Sequence, residues 1–156
     1  MKKTKQEVLD HVIAFHGIGG ESAYPIYDAY NEVHPAHIPY GSPWCAMFLW
    51  FALQDQMDGF PCEADCDRMK DTFKAQGRWY TPAERKPQSG DVIFFSSKLT
   101  EADCTHVGLV MQCDYYTEIL TTYEGNTSNM VAPRMYRFTD NPYIVGYADL
   151  QDRYLT

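Results

Sequence analysis

Along the first half of the chain apolar residues recur at the three- and four-residue intervals of helices, and along the second half they fall into short runs with a period near two. Val8, Leu9, Val12, Ile13 and Phe15 make the first helical series, behind a Thr4-Lys5-Gln6-Glu7 capping box and ahead of Gly17, Gly19 and Gly20, which end it. Residues 21–41 are rich in tyrosine, proline and histidine. Tyr24, Tyr27 and Tyr30 predict a short helical piece there, before a loop that carries His34, His37 and Pro39. The run from Pro43 through Trp44, Cys45, Ala46, Met47, Phe48, Leu49, Trp50, Phe51, Ala52 and Leu53 is apolar almost throughout. Gly41, Ser42 and Pro43 are turn and helix-start residues and Asp58-Gly59 with Pro61 is a stop, so a helix is predicted from about Pro43 to Met57. Counted from Cys45, residues Phe48, Leu49, Ala52, Leu53 and Gln56 share its face and carry the thiol toward the core. Ala64 to Ala75 reads as a further helix with Cys66, Met69 and Phe73 inward and Gly77 as its stop.

The period then changes. Residues 91–95, 105–111, 116–123, 134–138 and 143–147 are β-branched or aromatic runs separated by turn residues, the pattern of an antiparallel sheet. Helices first and strands after predict an α+β fold, N-terminal helices packed on a C-terminal antiparallel sheet. No repeat, linker or low-complexity segment interrupts the chain, so we expect one domain over residues 1–156, its helical half at about 4–77 and its β half at about 90–150.

At 156 residues the chain is long enough for a core of both elements without staples. Five cysteines at irregular spacings, and no basic leader followed by an apolar segment and a cleavage site, predict synthesis in the cytoplasm without a signal peptide and with reduced thiols. The apolar run at Trp44 to Leu53 is much shorter than the ~20 residues of a membrane span. With 21 acidic against 13 basic side chains, the formal net charge of −8 argues against nucleic acid as a partner and against adhesion to anionic surfaces. Aromatic content is 15%, with 12 tyrosines, which suits a groove that stacks on a sugar or peptide as well as it suits a tyrosine-rich core.

Cys45 stands at the predicted helix start, where free backbone N–H groups and the helix dipole lower a thiol pKa. Alone it reads as well as a small buried hydrophobe. A cysteine nucleophile needs a base, and the base needs an orienting group. His11, His16, His34 and His37 lie on the first helix, at its end or in a proline-containing loop, where solvated or capping roles are simpler. His106 opens a strand in which Val107, Leu109 and Met111 occupy one face, leaving it on the other with Gly108 and Val110; we expect that face to meet the helix bearing the thiol. On the next strand Leu120, Thr122 and Glu124 share a face, with Glu124 closing the strand before Gly125-Asn126, so a carboxylate or carboxamide there can fix the imidazole tautomer. Each feature alone has an explanation without catalysis, a strand-end histidine or an ordinary turn at residues 124–129. Jointly with Cys45 that explanation is no longer the better one.

The segments Pro43-Trp44-Cys45-Ala46-Met47-Phe48, Ser89-Gly90-Asp91-Val92-Ile93-Phe94-Phe95, Thr105-His106-Val107-Gly108-Leu109-Val110, Glu124-Gly125-Asn126-Thr127-Ser128 and Ile144-Val145-Gly146-Tyr147 resemble, in order, those of a CHAP domain. This is the cysteine- and histidine-dependent amidohydrolase/peptidase family of the papain-like, NlpC-type superfamily. The resemblance implies a papain-like fold, Cys45 as nucleophile, His106 as general base and acid, Glu124 as the group orienting the imidazole, and Asn126 as a further polar member of the site. It also implies a substrate, the amide bonds of bacterial peptidoglycan or related peptide amides, cut as an N-acetylmuramoyl-L-alanine amidase or a peptide endopeptidase. The oxyanion is expected to rest on the Cys45 backbone N–H and one more donor, for which Tyr40 and Ser42 are candidates beside equally good roles as core or turn residues; Trp44 is a candidate substrate contact. Gly90-Asp91 reads as a structural turn into its strand.

We expect no cofactor and no required metal. Cys62 and Cys66 lack a second close pair, Cys104 and Cys113 flank a strand at a distance, and Glu21, Asp28 and Glu32 are too sparse for the calcium site of some relatives. We further expect a monomer that acts on the wall after release or delivery, as a phage-type lytic enzyme or a secreted toxin. A cytoplasmic amidase acting on another peptide amide, or a non-catalytic binding module of the same fold, are the alternatives.

Overall fold

The computed structural model of the protein describes residues 2–151, 153 and 154. Among these, four helices come first: α1 (Lys5–Ile13), α2 (Tyr24–Val33), α3 (Cys45–Leu53) and α4 (Cys66–Ala75), with a 3-10 turn at Gly20–Ala23 leading into α2. The strands follow as β1 (Trp79–Tyr80), β2 (Val92–Phe95), β3 (His106–Asp114), β4 (Ile119–Thr127), β5 (Met130–Arg137) and β6 (Ile144–Ala148). They pair antiparallel throughout, in the order β1-β6-β2-β3-β4-β5. The fold is α+β.

At α1 the capping box closes as its residues predict, Glu7 N–H donating to Thr4 Oγ1 and Thr4 N–H to Glu7 Oε2. Val8, Leu9 and Val12 enter the core, but Ile13, expected inward, is 38% exposed because the helix ends there. Phe15 instead lies past the end and packs edge-on against Phe48 and Phe51. Helix α3 is shorter than the predicted span, beginning at Cys45 and giving way to turns between Gln54 and Met57. Every one of its residues except Phe51 is buried. A helix with no polar face must be enclosed on all sides, and α3 is: α1 and α2 pack on one side, β3 and β4 on the other.

The sheet divides two apolar clusters. Val92, Phe94, Val107, Leu109 and Val131 join the helices, while Ile93, Phe95, Val110, Leu120 and Tyr147 pack together on the opposite face. The strand limits differ from expectation for local reasons. Strand β4 starts at Ile119, not Tyr116, because the Asp114 carboxylate accepts the Tyr116 and Thr117 N–H groups and holds those residues in a turn. It also runs past Glu124 to Thr127, through an irregularity in its pairing with β5 at which Asn126 takes φ +61°. Strand β5 starts at Met130, ahead of the predicted Arg134, since Pro133 is tolerated on an edge strand. The two-residue β1 has too little pattern to be read from sequence.

Strand β4 packs tightly against α3 at Gly125, where a Cβ would lie 2.5 Å from Phe48 Cβ. Gly125→Ala therefore overpacks the layer that carries the site. We expect a loss of about 1–3 kcal/mol, read as a lower urea midpoint at unchanged slope.

Candidate active site

Cys45 is the first residue of α3, which has no side-chain cap; the first bond of its ladder runs from Phe48 N–H to Trp44 O at 2.8 Å. The N–H groups of Cys45 and Ala46 therefore precede the ladder, at the positive end of the helix dipole. The entering chain is held by Tyr27, whose hydroxyl donates to the Ser42 carbonyl at 2.5 Å. The Cys45 side chain is 5% exposed.

His106 begins β3 and Glu124 lies on the neighbouring β4. Imidazole Nε2 meets Glu124 Oε1 at 2.6 Å, so contact with the thiol falls to Nδ1. The expectation that His106 occupies the helix-facing side of the sheet is corrected: Val107 and Leu109 face the helices, and His106 packs on Phe95 in the opposite cluster. It reaches Cys45 because it is the terminal residue of its strand. Glu124 has no exposed surface. Its Oε1 also accepts from Thr127 Oγ1 at 3.1 Å, and its Oε2 accepts from Thr122 Oγ1 at 2.5 Å and Tyr136 OH at 2.7 Å. Gly108 makes room for it, since a Cβ there would stand 2.7 Å from Glu124 Cγ.

Burial alone would push the Glu124 carboxyl up, but the bond and charge of His106 with the hydroxyls of Thr122 and Tyr136 outweigh it and hold the carboxyl below its usual range. At His106 burial pulls downward and is outweighed by the hydrogen bonds and charges of Cys45 and Glu124, which push the imidazole up to about 10. The Cys45 thiol is lowered first by a hydrogen bond from Cys66; burial opposes this, and His106 and the Val107 backbone N–H add to the lowering. Cys66 Sγ lies 3.7 Å from Cys45 Sγ, and that contact together with burial raises the Cys66 thiol. These directions favour a Cys45 thiolate facing a His106 imidazolium, with the proton of the sulfur pair on Cys66.

The other sequence candidates are placed apart from this core. Asn126 makes no hydrogen bond to His106; it lines a cleft of about 220 Å³ beside the site with Glu21, Tyr24, Tyr27, Trp44 and Asn129. Trp44, buried, forms part of that wall. Tyr40 is half exposed, stacks on Tyr24 and gives its hydroxyl to Asp28. Ser42 is engaged through its carbonyl. The remaining four histidines lie elsewhere, His11 by Asp55, His34 by Glu63, His16 by Tyr123 and His37 in a separate hollow with Asn31 and Tyr40. Among the described residues no three His, Cys, Asp or Glu side chains are arranged to hold a metal ion. Sequence reasoning missed Cys66, Tyr136 and Thr127. Thr122 was legible as a same-face neighbour of Glu124, and Asp65 as an N-cap would have set Cys66 at a helix start like Cys45.

The site thus joins a cysteine at a helix start to a histidine and a buried carboxylate on adjacent antiparallel strands of an α+β protein. The CHAP domain family matches residues 37–126, and the chain belongs to that family. No curated protein matches it in sequence. Among solved structures it is similar to Ly7917, at TM-score 0.57 and 16% identity over 93% of this chain, and to Ly7917 with the hydrolyzing product of MDP, at TM-score 0.56 and 17% identity. It is also similar to N-acetylmuramoyl-L-alanine amidase from Staphylococcus aureus, at TM-score 0.52 and 14% identity over 77% of this chain. These likenesses are of fold. The chain spans 62% of the Ly7917 structures and 34% of the amidase.

The triad makes stability depend on pH in a definite way. Below the ordinary histidine value of 6.5 the unfolded chain carries one more proton than the folded site, at Cys45, so stability rises with pH. Between 6.5 and the ordinary thiol value of 9.0 the folded ion pair and the unfolded neutral pair hold equal numbers of protons, and the contribution is level. Above 9.0 it is lost as pH rises through about 10. In Cys45→Ala the rise below pH 6.5 that comes from the thiol should vanish, and because Cys45 is the first of the groups that raise His106, the loss through about 10 should weaken, as followed by urea midpoints across pH.

Proposed function

We propose that this protein hydrolyses amide bonds of bacterial peptidoglycan, with Cys45 as nucleophile, His106 as general base and acid, and Glu124 as the residue positioning His106. The observation that carries the reading is the line of contacts from the Cys45 thiol through His106 to a Glu124 carboxylate sealed from water. Membership of the CHAP family, a fold like that of an N-acetylmuramoyl-L-alanine amidase, and a structural neighbour solved with the hydrolyzing product of MDP support it.

The thiolate attacks the amide carbonyl, and the oxyanion that forms is met by the Cys45 backbone N–H at the head of α3. The imidazolium Nδ1–H gives its proton to the departing amine, leaving a thioester on Cys45. Neutral His106 then takes a proton from water as the water attacks the thioester, and the acid leaves. Glu124 keeps Nε2 engaged throughout, so the ring cannot rotate away. The cleft at Trp44 and Asn126 opens beside the nucleophile and offers aromatic and amide groups to a peptide, with Glu21 as the acidic side chain on its wall.

A thiolate and imidazolium pair suits acyl transfer, whereas glycosidic cleavage needs two carboxyl groups flanking a sugar, and Glu124 is already engaged. Purified peptidoglycan treated with the protein should gain free amino groups and no reducing sugar ends. Cys45→Ala should abolish the release, and mass spectrometry of the fragments separates the lactyl–alanine amide from bonds within the stem peptide or cross-bridge. New reducing ends that depend on Glu124 would refute the mechanism. Absence of release from several wall types, with Cys45 still reactive toward iodoacetamide near pH 6, points to a non-wall amide as substrate.

A further inference from the structure

The second thiol at the site is not needed for hydrolysis. Cys66 opens α4 as Cys45 opens α3, and the two helix starts bring their sulfurs to 3.7 Å, with both side chains buried. None of the five cysteines is in a disulfide. Of the other three cysteines, Cys104 Sγ points to the Glu101 carbonyl at 3.8 Å, Cys113 lies in the outer part of β3, and Cys62 stands near Tyr30 and Glu63. The charges around the pair are unequal. His106 stands beside Cys45, whereas Asp65, the N-cap of α4, stands beside Cys66. Negative charge therefore belongs on Cys45 and the proton on Cys66, the division needed for one sulfur to react first with an oxidant and the other to close on it.

We propose that Cys45 and Cys66 form a modification site at which a hydroperoxide converts the dithiol to a disulfide that masks the nucleophile and that thiol reductants reopen. In the first step the Cys45 thiolate attacks one peroxide oxygen; an S–O bond forms, the O–O bond breaks, and the departing oxygen takes the His106 proton and leaves as water or an alcohol. In the second step Cys66 sulfur attacks Cys45 sulfur; the S–S bond forms, the S–O bond breaks, and hydroxide leaves with the Cys66 proton as water. Two thiols are oxidised by two electrons and one peroxide is reduced by two. The sulfurs must close from 3.7 Å to a bond length of about 2.05 Å, a movement within reach of side-chain rotation and a slight shift of two helix starts. Without Cys66 the sulfenic acid stays exposed to further peroxide and advances to sulfinic acid, which thiols do not reverse. The disulfide chemistry needs only this geometry; its effect on hydrolysis rests on the function proposed above.

The test is to treat the full chain, freed of reductant, with hydrogen peroxide and then map its thiols. Chymotrypsin with a glutamyl endopeptidase cuts at Phe48 and Glu63 and so separates Cys45, Cys62 and Cys66. The expected result is an intact mass lower by two hydrogens, a Cys45–Cys66 linked peptide, and alkylation of both residues restored by dithiothreitol. Cys66→Ala should lose that recovery and accumulate Cys45 carrying two or three oxygens, while Cys62→Ala and Cys104→Ala should keep the linked peptide. Bonding of Cys66 to Cys62 or Cys104 in place of Cys45, or irreversible oxidation of Cys45 at equal rates with and without Cys66, would overturn the proposal. Should Cys66→Ala fold poorly, the map of the unaltered protein decides alone. Because each readout is a mass, a wrong assignment of the hydrolysed bond leaves the outcome unaffected.

Discussion

A carboxylate with no contact with water has to be compensated in full, and Glu124 sets the terms on which the sheet around it is built. Loss of hydration costs an isolated buried carboxylate several kcal/mol. Here that cost is offset by His106 and by three hydroxyls, from Thr122 and Thr127 on its own strand and Tyr136 on the next. Each partner has a structural precondition: a glycine at 108 to admit the side chain, a break in β4 pairing to bring Thr127 round, and the β4–β5 register to deliver Tyr136. The imidazolium and the thiolate are downstream of that arrangement. A protonated Glu124 would no longer hold His106 charged, and a neutral His106 would do less to hold Cys45 ionised.

The other half of the site is a matter of enclosure. Helix α3 buries nearly its whole circumference, so its axis is fixed by α1 and α2 behind and by β3 and β4 in front. Its N-terminus carries no side-chain cap, so no capping side chain meets its leading N–H groups. Cys45 thus sits at the head of a helix buried on nearly every side, and His106 at the end of a strand packed against it. Orientation of the reacting groups is inherited from the core.

Much of this was legible in the sequence where local chemistry is strong. The Thr4 and Glu7 box, the apolar run after Pro43 and the alternation from Val107 to Met111 each name their element without help from the rest of the chain. The Cys45, His106 and Glu124 set was legible because each occupies the start or middle of such an element. What escaped depended on distant pairing. Tyr136 reaches Glu124 only because Leu120 lies opposite it in the sheet, and Cys66 meets Cys45 only because α4 returns to the head of α3; neither is encoded within a window of sequence. The face occupied by His106 was misjudged for a related reason, since a terminal residue of a strand can reach round the sheet.

Strand β5 is the edge of the sheet, and β4 is its one neighbouring strand among the described residues. Its first residues are steadied by the loop at Gly17–Gly19, through bonds between Val131 and both Gly17 and Ile18, but Tyr136 lies toward the far end. Edge segments are where native proteins open first, in excursions far short of global unfolding. Each such opening withdraws a hydroxyl from Glu124 and leaves the carboxylate less well solvated by the protein. The proton affinity of the site is therefore tied to fraying of an edge strand remote from Cys45, and anything that adds a further strand to that edge would tighten the ion pair from outside.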